Sequence, residues 1–135
     1  MKKPIYKLIL FILLLSCNND DNDNSENINY SLTNTTINIE QVLENDMVIV
    51  RPVIIQSPNV IDAAKNYPIV FAYHGRGGNN TSWVNQLSNY TNSGEFIGIY
   101  PQGYLESWNL GPEPSNADDV EFTNLIIEEL QNYNN

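Results

Sequence analysis

Apolar and polar positions divide the chain into an apolar start, a polar stretch and a patterned remainder. Apolar residues alternate with polar ones around 37–41, and a run rich in β-branched residues follows at 47–55. These two segments predict a pair of antiparallel strands. Pro52 interrupts the second run, which is typical of an edge strand or a bulge because proline cannot donate a hydrogen bond to the ladder.

Two later runs, PIVFAY at 68–73 and FIGIY at 96–100, are apolar at nearly every position. Such runs are typical of strands buried on both faces of a sheet. Between them, Trp83, Leu87 and Tyr90 have the spacing of one face of a helix. The order strand, helix, strand predicts a βαβ unit with parallel strands.

The last predicted element is a helix that begins after Asp118. An aspartate there can accept hydrogen bonds from the first helical N–H groups, and Glu121 three positions later gives a start like a capping box. Apolar residues then recur on one face of this helix, namely Phe122, Leu125, Ile126, Leu130 and Tyr133. The predicted class is therefore α/β.

The first residues have the features of an export signal. Three lysines within the first seven residues precede an unbroken run of eight apolar residues at 8–15. A bilayer-spanning helix needs about 20 such residues, so this run has the length of the apolar region of a signal peptide. The following Ser16-Cys17 resembles the lipobox of bacterial lipoproteins. That resemblance implies cleavage before Cys17 and attachment of lipid to its sulfur, and the alternative is an ordinary signal peptide with an incidental cysteine.

The stretch after Cys17 is acidic, rich in asparagine and poor in apolar residues. It cannot bury enough surface to fold, so it predicts a tether. It also resembles the surface-export signals of bacterial lipoproteins, and a plain solvated linker is an equal alternative. The predicted organisation is a lipoprotein signal peptide at 1–16, a tether at 17–35 and one domain at 36–135. The protein is then held on the membrane through Cys17 in the cell envelope, at the outer membrane or the cell surface.

Composition excludes several classes of function. Sixteen Asp and Glu against six Lys and Arg give a net charge of −10, which argues against nucleic-acid binding. One cysteine excludes a disulfide scaffold. One histidine and a lipidated cysteine leave only carboxylates without ligand spacing, so no metal is predicted. The glycine motifs of nucleotide-binding proteins are missing, and no cofactor is predicted.

An ordered series of short motifs runs from Pro68 to Phe122, within a similarity that covers about Arg51 to Tyr133. In chain order it reads PIVFAYHG, a single Trp, FIGIYPQG, Trp-Asn and NADDVEF. This series resembles the polyhydroxybutyrate depolymerase and feruloyl esterase group of secreted α/β-hydrolases. The resemblance implies cleavage of carboxylic esters outside the cell by a serine nucleophile.

The resemblance also implies roles for the loop His74-Gly75-Arg76-Gly77. In that family the loop helps to form the oxyanion hole through a backbone N–H group. By position Arg76 is the best match for the donor and Gly77 the second. His74 then shapes the loop and is not the catalytic base.

Other polar residues near these motifs have simpler interpretations. Asp118 and Asp119 stand at a helix start, where capping and the positive helix end account for carboxylates, so neither is taken as the triad acid. Trp108 and Asn109 are interpreted as loop packing near the site.

No serine of the chain has glycine two residues before and two residues after it, which is the elbow that hydrolases of this fold require. Taken with this absence, the resemblance implies the N-terminal half of an α/β-hydrolase fold, a mostly parallel sheet flanked by helices, truncated before the nucleophile elbow and inactive alone. Ester substrates bind only if the domain is completed. Natural truncation, a frameshift and an artefact of gene prediction all stay open. The alternative function is a non-catalytic surface lipoprotein that reuses half of the fold for binding.

Overall fold

The computed structural model describes residues 32–133. Their elements in chain order are β1 (Thr35–Val42), β2 (Val48–Gln56), β3 (Ile69–Phe71), α1 (Val84–Asn92), β4 (Ile97–Pro101), a 3₁₀ turn (Tyr104–Glu106) and α2 (Asp119–Leu130). The predicted signal peptide, Cys17 and most of the tether lie outside the described residues. Within 32–133, no helix has the length and apolar character needed to cross a bilayer.

The four strands form one mixed sheet in the order β1-β2-β4-β3. The β1–β2 and β2–β4 pairs are antiparallel, and only β3–β4 is parallel. The expected fold class, the mostly parallel sheet of an α/β-hydrolase half, is therefore wrong: this is a small mixed sheet with two α-helices in the described part. The β1–β2 pair is antiparallel as expected, because a short turn joins the two strands. The sheet is not mostly parallel because β4 also pairs antiparallel with β2, so the βαβ unit contributes one of three strand pairs.

The local predictions for the strands and for α1 are confirmed. The strands expected at 37–41 and 47–55 are β1 and β2, joined by a turn in which Leu43 N–H donates to the Met47 carbonyl at 2.9 Å. The expected βαβ unit is β3, α1 and β4, whose strands pair in parallel from Ile69 opposite Ile97 to Phe71 opposite Ile99.

The interpretation of Pro52 as an edge or bulge residue is wrong, because β2 lies between β1 and β4. The ladder between β2 and β4 begins only at Val53, opposite Pro101. The Pro52 carbonyl points to that side and accepts a hydrogen bond from Gln102 N–H at 3.0 Å. The ring nitrogen faces the same side, where the ladder has ended, so the missing donor costs no ladder bond.

Burial confirms the prediction for one apolar run and contradicts it for the other. All five residues of β4 are buried. In β3, however, Ile69 is 48% and Val70 36% exposed. β4 has a strand on each side, whereas β3 forms an edge of the sheet. An apolar sequence alone does not distinguish these two positions.

The core lies between α2 and one face of the sheet. Buried side chains from the strands are Ile39, Val53, Ile55, Ile97 and Ile99, and those from α2 are Phe122, Ile126 and Leu130. The predicted apolar stripe of the last helix is confirmed, since its two remaining members, Leu125 and Tyr133, pack half-buried against this core.

The start of α2 is capped as predicted. The Asp118 carboxylate accepts hydrogen bonds from the N–H groups of Val120 and Glu121, both at 2.9 Å. Glu121 does not close a capping box within the described contacts. Its side chain instead accepts a hydrogen bond from the Gln41 amide at 2.9 Å, which connects α2 to β1.

The face of the sheet opposite α2 has one tight contact between neighbours on β4. Tyr100 is fully buried, and its hydroxyl donates to the Gln56 side-chain carbonyl at 2.9 Å. Gly98 lies two residues earlier on the same face. A Cβ atom at Gly98 would collide with the Tyr100 phenol, so the ring lies directly over a position without a side chain.

Candidate functional site

The predicted oxyanion loop follows β3 and is held by the buried ring of His74. The His74 Nε2 accepts a hydrogen bond from Gly103 N–H at 2.9 Å. The ring proton is therefore on Nδ1, which donates to the Gly75 carbonyl at 2.8 Å. The Trp108 indole donates to the His74 carbonyl at 2.7 Å. His74 thus joins three segments of the chain, and both ring nitrogens are occupied.

Two further contacts hold the same loop from the other side. The Gly77 N–H donates to the Glu106 carbonyl at 2.8 Å, and Gly77 has a φ of 73° that favours glycine. The Arg76 guanidinium forms an ion pair with Glu113 at 3.0 Å, and the Ser107 hydroxyl donates to the same carboxylate at 3.1 Å. The loop is therefore fixed at its backbone and at its side chains.

These contacts separate the two candidate backbone donors. The Gly77 N–H is already paired with Glu106. Among residues 32–133, the Arg76 N–H has no hydrogen-bond acceptor. Of the two, only the Arg76 N–H is available to a bound ligand.

The turn that supplies the Glu106 carbonyl has an unusual backbone. Leu105 and Glu106 have φ values of 52° and 55°, a region that costs a residue with a side chain about 1–2 kcal/mol. Leu105 is 56% exposed, so its side chain gains little in return. The turn nevertheless directs the Glu106 carbonyl at the loop. Backbone strain of this kind often occurs at functional sites.

A cleft of about 1050 Å³ opens beside the loop, between the end of β3 and the start of α2. Its apolar wall includes Tyr73, Trp108, Leu110 and Val120. The rings of Tyr73 and Trp108 meet edge to face with centroids 5.0 Å apart. Its polar wall includes the carboxylates Glu44, Asp118, Asp119 and Glu121.

A buried arginine supports the floor of this region. Arg51 of β2 is 2% exposed. Its guanidinium donates to Asp119 at 2.8 Å, to the Gln41 side-chain carbonyl at 3.0 Å and to the Gln102 carbonyl at 3.0 Å. It also lies 3.5 Å from the centroid of the Phe122 ring. Burial lowers the pKa of Arg51, while the hydrogen bond and charge of Asp119 oppose that change.

The second oxygen of the Asp119 carboxylate accepts a hydrogen bond from Asn109 N–H at 2.6 Å. Asp119 therefore connects β2, α2 and the loop that carries Trp108. Both oxygens are engaged in positioning these segments, and Asp118 is engaged in capping.

The structure brings most of the predicted residues together. His74, Gly75, Arg76 and Gly77 form the loop, and of these four only His74 lines the cleft, together with Trp108, Asn109, Asp118 and Asp119. Cys17 lies outside the described residues. Within residues 32–133, no group of three or more His, Cys, Asp or Glu side chains could hold a metal ion.

Sequence reasoning missed Gln41 and Arg51, both of which are buried polar residues. The alternation of inward and outward positions along β1 and β2 contains a signal for both residues. Gln41 is in phase with Ile39, and Arg51 is in phase with Val53, so both polar side chains occupy inward positions of their strands. Buried charged residues are rare unless paired, and an inward arginine therefore predicts a buried carboxylate partner.

The chain matches no protein-family model and no curated protein.

Proposed function

We propose that this chain is part of a lipid-anchored extracellular serine esterase, a carboxylic ester hydrolase of the polyhydroxybutyrate depolymerase and feruloyl esterase kind. Its contribution is a backbone donor for the oxyanion, and it is inactive alone. One observation carries the proposal: the 74–77 loop is fixed on both sides, yet the Arg76 N–H has no acceptor among the described residues.

The chemistry requires such a donor before the reaction starts. Attack on an ester carbonyl places negative charge on its oxygen, and a preorganised N–H stabilises that charge. Removal of one such donor typically lowers kcat by about 10²–10³-fold. Because the loop is already fixed by His74 and Glu106, it does not need to reorganise when the charge develops.

The remaining catalytic groups have no candidates in this sequence. Both nitrogens of the His74 ring are hydrogen-bonded, so it cannot take a proton from a nucleophile without losing a loop contact. No serine lies in the required glycine elbow. The proposed activity therefore requires a nucleophile and a base from additional polypeptide.

The deciding experiment begins with the DNA beyond codon 135. A stretch encoding a strand and Gly-x-Ser-x-Gly, in this frame or a neighbouring one, would support the proposal. Its absence would overturn it. The completed protein would then be assayed on an aryl acetate. Arg76→Pro removes the N–H and should lower kcat by about 10²–10³-fold, whereas Arg76→Ala keeps the N–H and serves as the control for the lost Glu113 ion pair.

The 135-residue chain alone should not turn over 4-nitrophenyl acetate above the rate of a heat-denatured sample. Turnover that persists after treatment with a serine-directed inhibitor would contradict the proposed division of catalytic groups.

The lipid anchor is a separate part of the proposal. Each buried CH₂ of an acyl chain contributes about 0.8 kcal/mol to membrane binding, so several chains at Cys17 would hold the protein firmly. Cells supplied with labelled palmitate should label the wild type and not Cys17→Ser. Equal labelling of both would contradict attachment at Cys17.

A non-catalytic surface lipoprotein is the second candidate. The observation that favours it is the cleft of about 1050 Å³ with apolar and acidic walls, because the binding of a ligand there would need no nucleophile. Downstream DNA without the serine elbow, together with ligand binding by the intact chain, would select this function.

A further inference from the structure

Among residues 32–133, no strand pairs with the outer edge of β3. The Pro68 carbonyl accepts from Ile97 N–H at 2.8 Å, and Ala72 N–H donates to the Ile99 carbonyl at 2.9 Å. Even-numbered residues therefore face β4, and the backbone groups of Ile69 and Phe71 face outward. An edge of this kind accepts another strand.

The side chains beside that edge are apolar and uncharged. Ile69 is 48% and Val70 36% exposed. Phe71, Tyr73 and Trp108 form an aromatic row, with centroid separations of 6.2 Å and 5.0 Å. None of the residues from 68 to 73 is charged, so the usual charge that prevents strand addition is missing from this edge.

The aromatic row leads into the acidic cleft. Glu44, Asp118 and Glu121 are exposed on its wall, and none of the described residues that line it is Lys or Arg. Of the sixteen acidic residues of the chain, four precede residue 32 and twelve remain; of the six basic ones, three precede it and three remain. The surrounding field is therefore strongly negative, which repels a second copy of this chain and attracts a cationic partner.

We propose that the β3 edge and the adjoining cleft form a docking site for a β-strand segment of another polypeptide, apolar along the edge and basic at the end that enters the cleft. The apolar residues pack on the aromatic row, and the lysine or arginine lies near Glu44 and Glu121. The site is proposed for the 135-residue chain alone, because in an esterase completed by further polypeptide the strand before the nucleophile would occupy the same edge.

The test uses the full-length chain in nanodiscs of zwitterionic phosphatidylcholine, with empty nanodiscs as blank. The probe is a synthetic nonapeptide of alternating Val and Thr that ends in two lysines, and its affinity is measured by calorimetry. The matched probe ends in two glutamates. The lysine peptide should bind at least about tenfold more tightly, because the charge pattern of an interface decides which partner it accepts.

Two pairs of variants locate the site. Ile69→Pro removes an outward N–H without breaking a bond to β4, and Ile69→Thr keeps that N–H. We expect the proline variant to lose about tenfold in affinity relative to the threonine variant. The double variant Glu44→Gln, Glu121→Gln should lose affinity for the lysine peptide and not for the glutamate peptide, whereas Glu128→Gln should change neither.

A preference for the lysine peptide does not by itself locate binding at the β3 edge, because the acidic residues before residue 32 also attract lysine. The comparison of the two Ile69 variants therefore tests the location. Equal affinity of the proline and threonine variants would overturn the proposal. Equal affinity of the two peptides would also overturn it. Concentration-dependent dimerisation without peptide, lost in Ile69→Pro, would assign the edge to a second copy instead.

Discussion

The guanidinium of Arg51 donates to the carboxylate of Asp119 at 2.8 Å, although Arg51 itself is almost completely removed from solvent. This pair joins the middle of β2 to the first turn of α2. It brings two segments together that are far apart in sequence, and its carboxylate partner, Asp119, lines the cleft.

Removal of Asp119 should therefore destabilise the domain severely. Asp119→Ala leaves the Arg51 charge buried with only neutral acceptors, and breaking a buried pair typically costs about 3–5 kcal/mol. Because Asp119 keeps a side-chain exposure of 20%, water can enter in part, and we expect a loss of about 2–4 kcal/mol.

Urea denaturation followed by circular dichroism measures this loss. The control is Glu128→Ala, which removes a carboxylate from an exposed position of the same helix and should change the free energy of unfolding by less than about 0.5 kcal/mol. Equal effects of the two variants would show that the ion pair contributes nothing specific.

Substitution of His74 should loosen the loop through lost hydrogen bonds. His74→Phe fills a similar volume but cannot accept from Gly103 N–H, so a buried donor is left unpaired at a cost of about 1–3 kcal/mol. Amide hydrogen exchange should accelerate at Gly103 and at Gly77. Exchange at Ile99 in the sheet serves as the internal reference, and unchanged rates at both glycines would contradict this role of the ring.

Replacement of Leu105 by glycine should stabilise the protein. Leu105 adopts a φ of 52°, and glycine relieves a penalty of about 1–2 kcal/mol there. The greater freedom of glycine in the unfolded chain offsets about 0.5–1 kcal/mol, so the net gain lies between about 0 and 1.5 kcal/mol. Leu110→Gly, at an exposed position without positive φ, should instead lose stability. A loss in both variants would show that the turn is not strained at Leu105.

Tyr100 should make stability fall in alkali. Burial raises its pKa above the ordinary value of 10.0. Above that pH the unfolded chain releases the phenol proton while the folded chain retains it, so the folded state is progressively disfavoured as the pH rises.

Tyr100→Phe should lose about 1 kcal/mol at neutral pH, because the hydrogen bond to Gln56 is gone. Its alkaline decline should be shallower than that of the wild type. Urea denaturation at pH 8 and above 10 gives both values, with Tyr104→Phe as the control. Parallel declines in wild type and Tyr100→Phe would assign the effect to other groups.

Local pattern predicted the elements well and their arrangement less well. Alternation identified β1, a run rich in β-branched residues identified β2, and helical spacing identified α2. The residue type at Asp118 identified the cap of that helix. Periodicity reports which face of a segment is apolar, but not what lies beside it. The edge position of β3 and the central position of Pro52 depend on strand order, which no local pattern encodes. The combination of parallel and antiparallel pairs in the sheet also depends on strand order.

In the candidate site, too, some features have a local sequence signal and others depend on the three-dimensional fold. The loop from His74 to Gly77 and the capping role of Asp118 have signals in contiguous sequence. The pairing of Arg51 with Asp119 joins residues 68 positions apart, and only the three-dimensional arrangement shows it. Inward-phase polar residues are the one sequence signal that could have indicated it.

The contact of Gly98 with the Tyr100 ring constrains how this chain can evolve. While the Tyr100 phenol covers position 98, a residue with a side chain there would collide with the ring. Conversely, a small residue at position 100 would leave the space above Gly98 empty. The two sites should therefore change jointly or not at all. In a homologous sequence, a residue with a side chain at position 98 together with a small residue at position 100 would show that the same sheet is retained through a paired replacement.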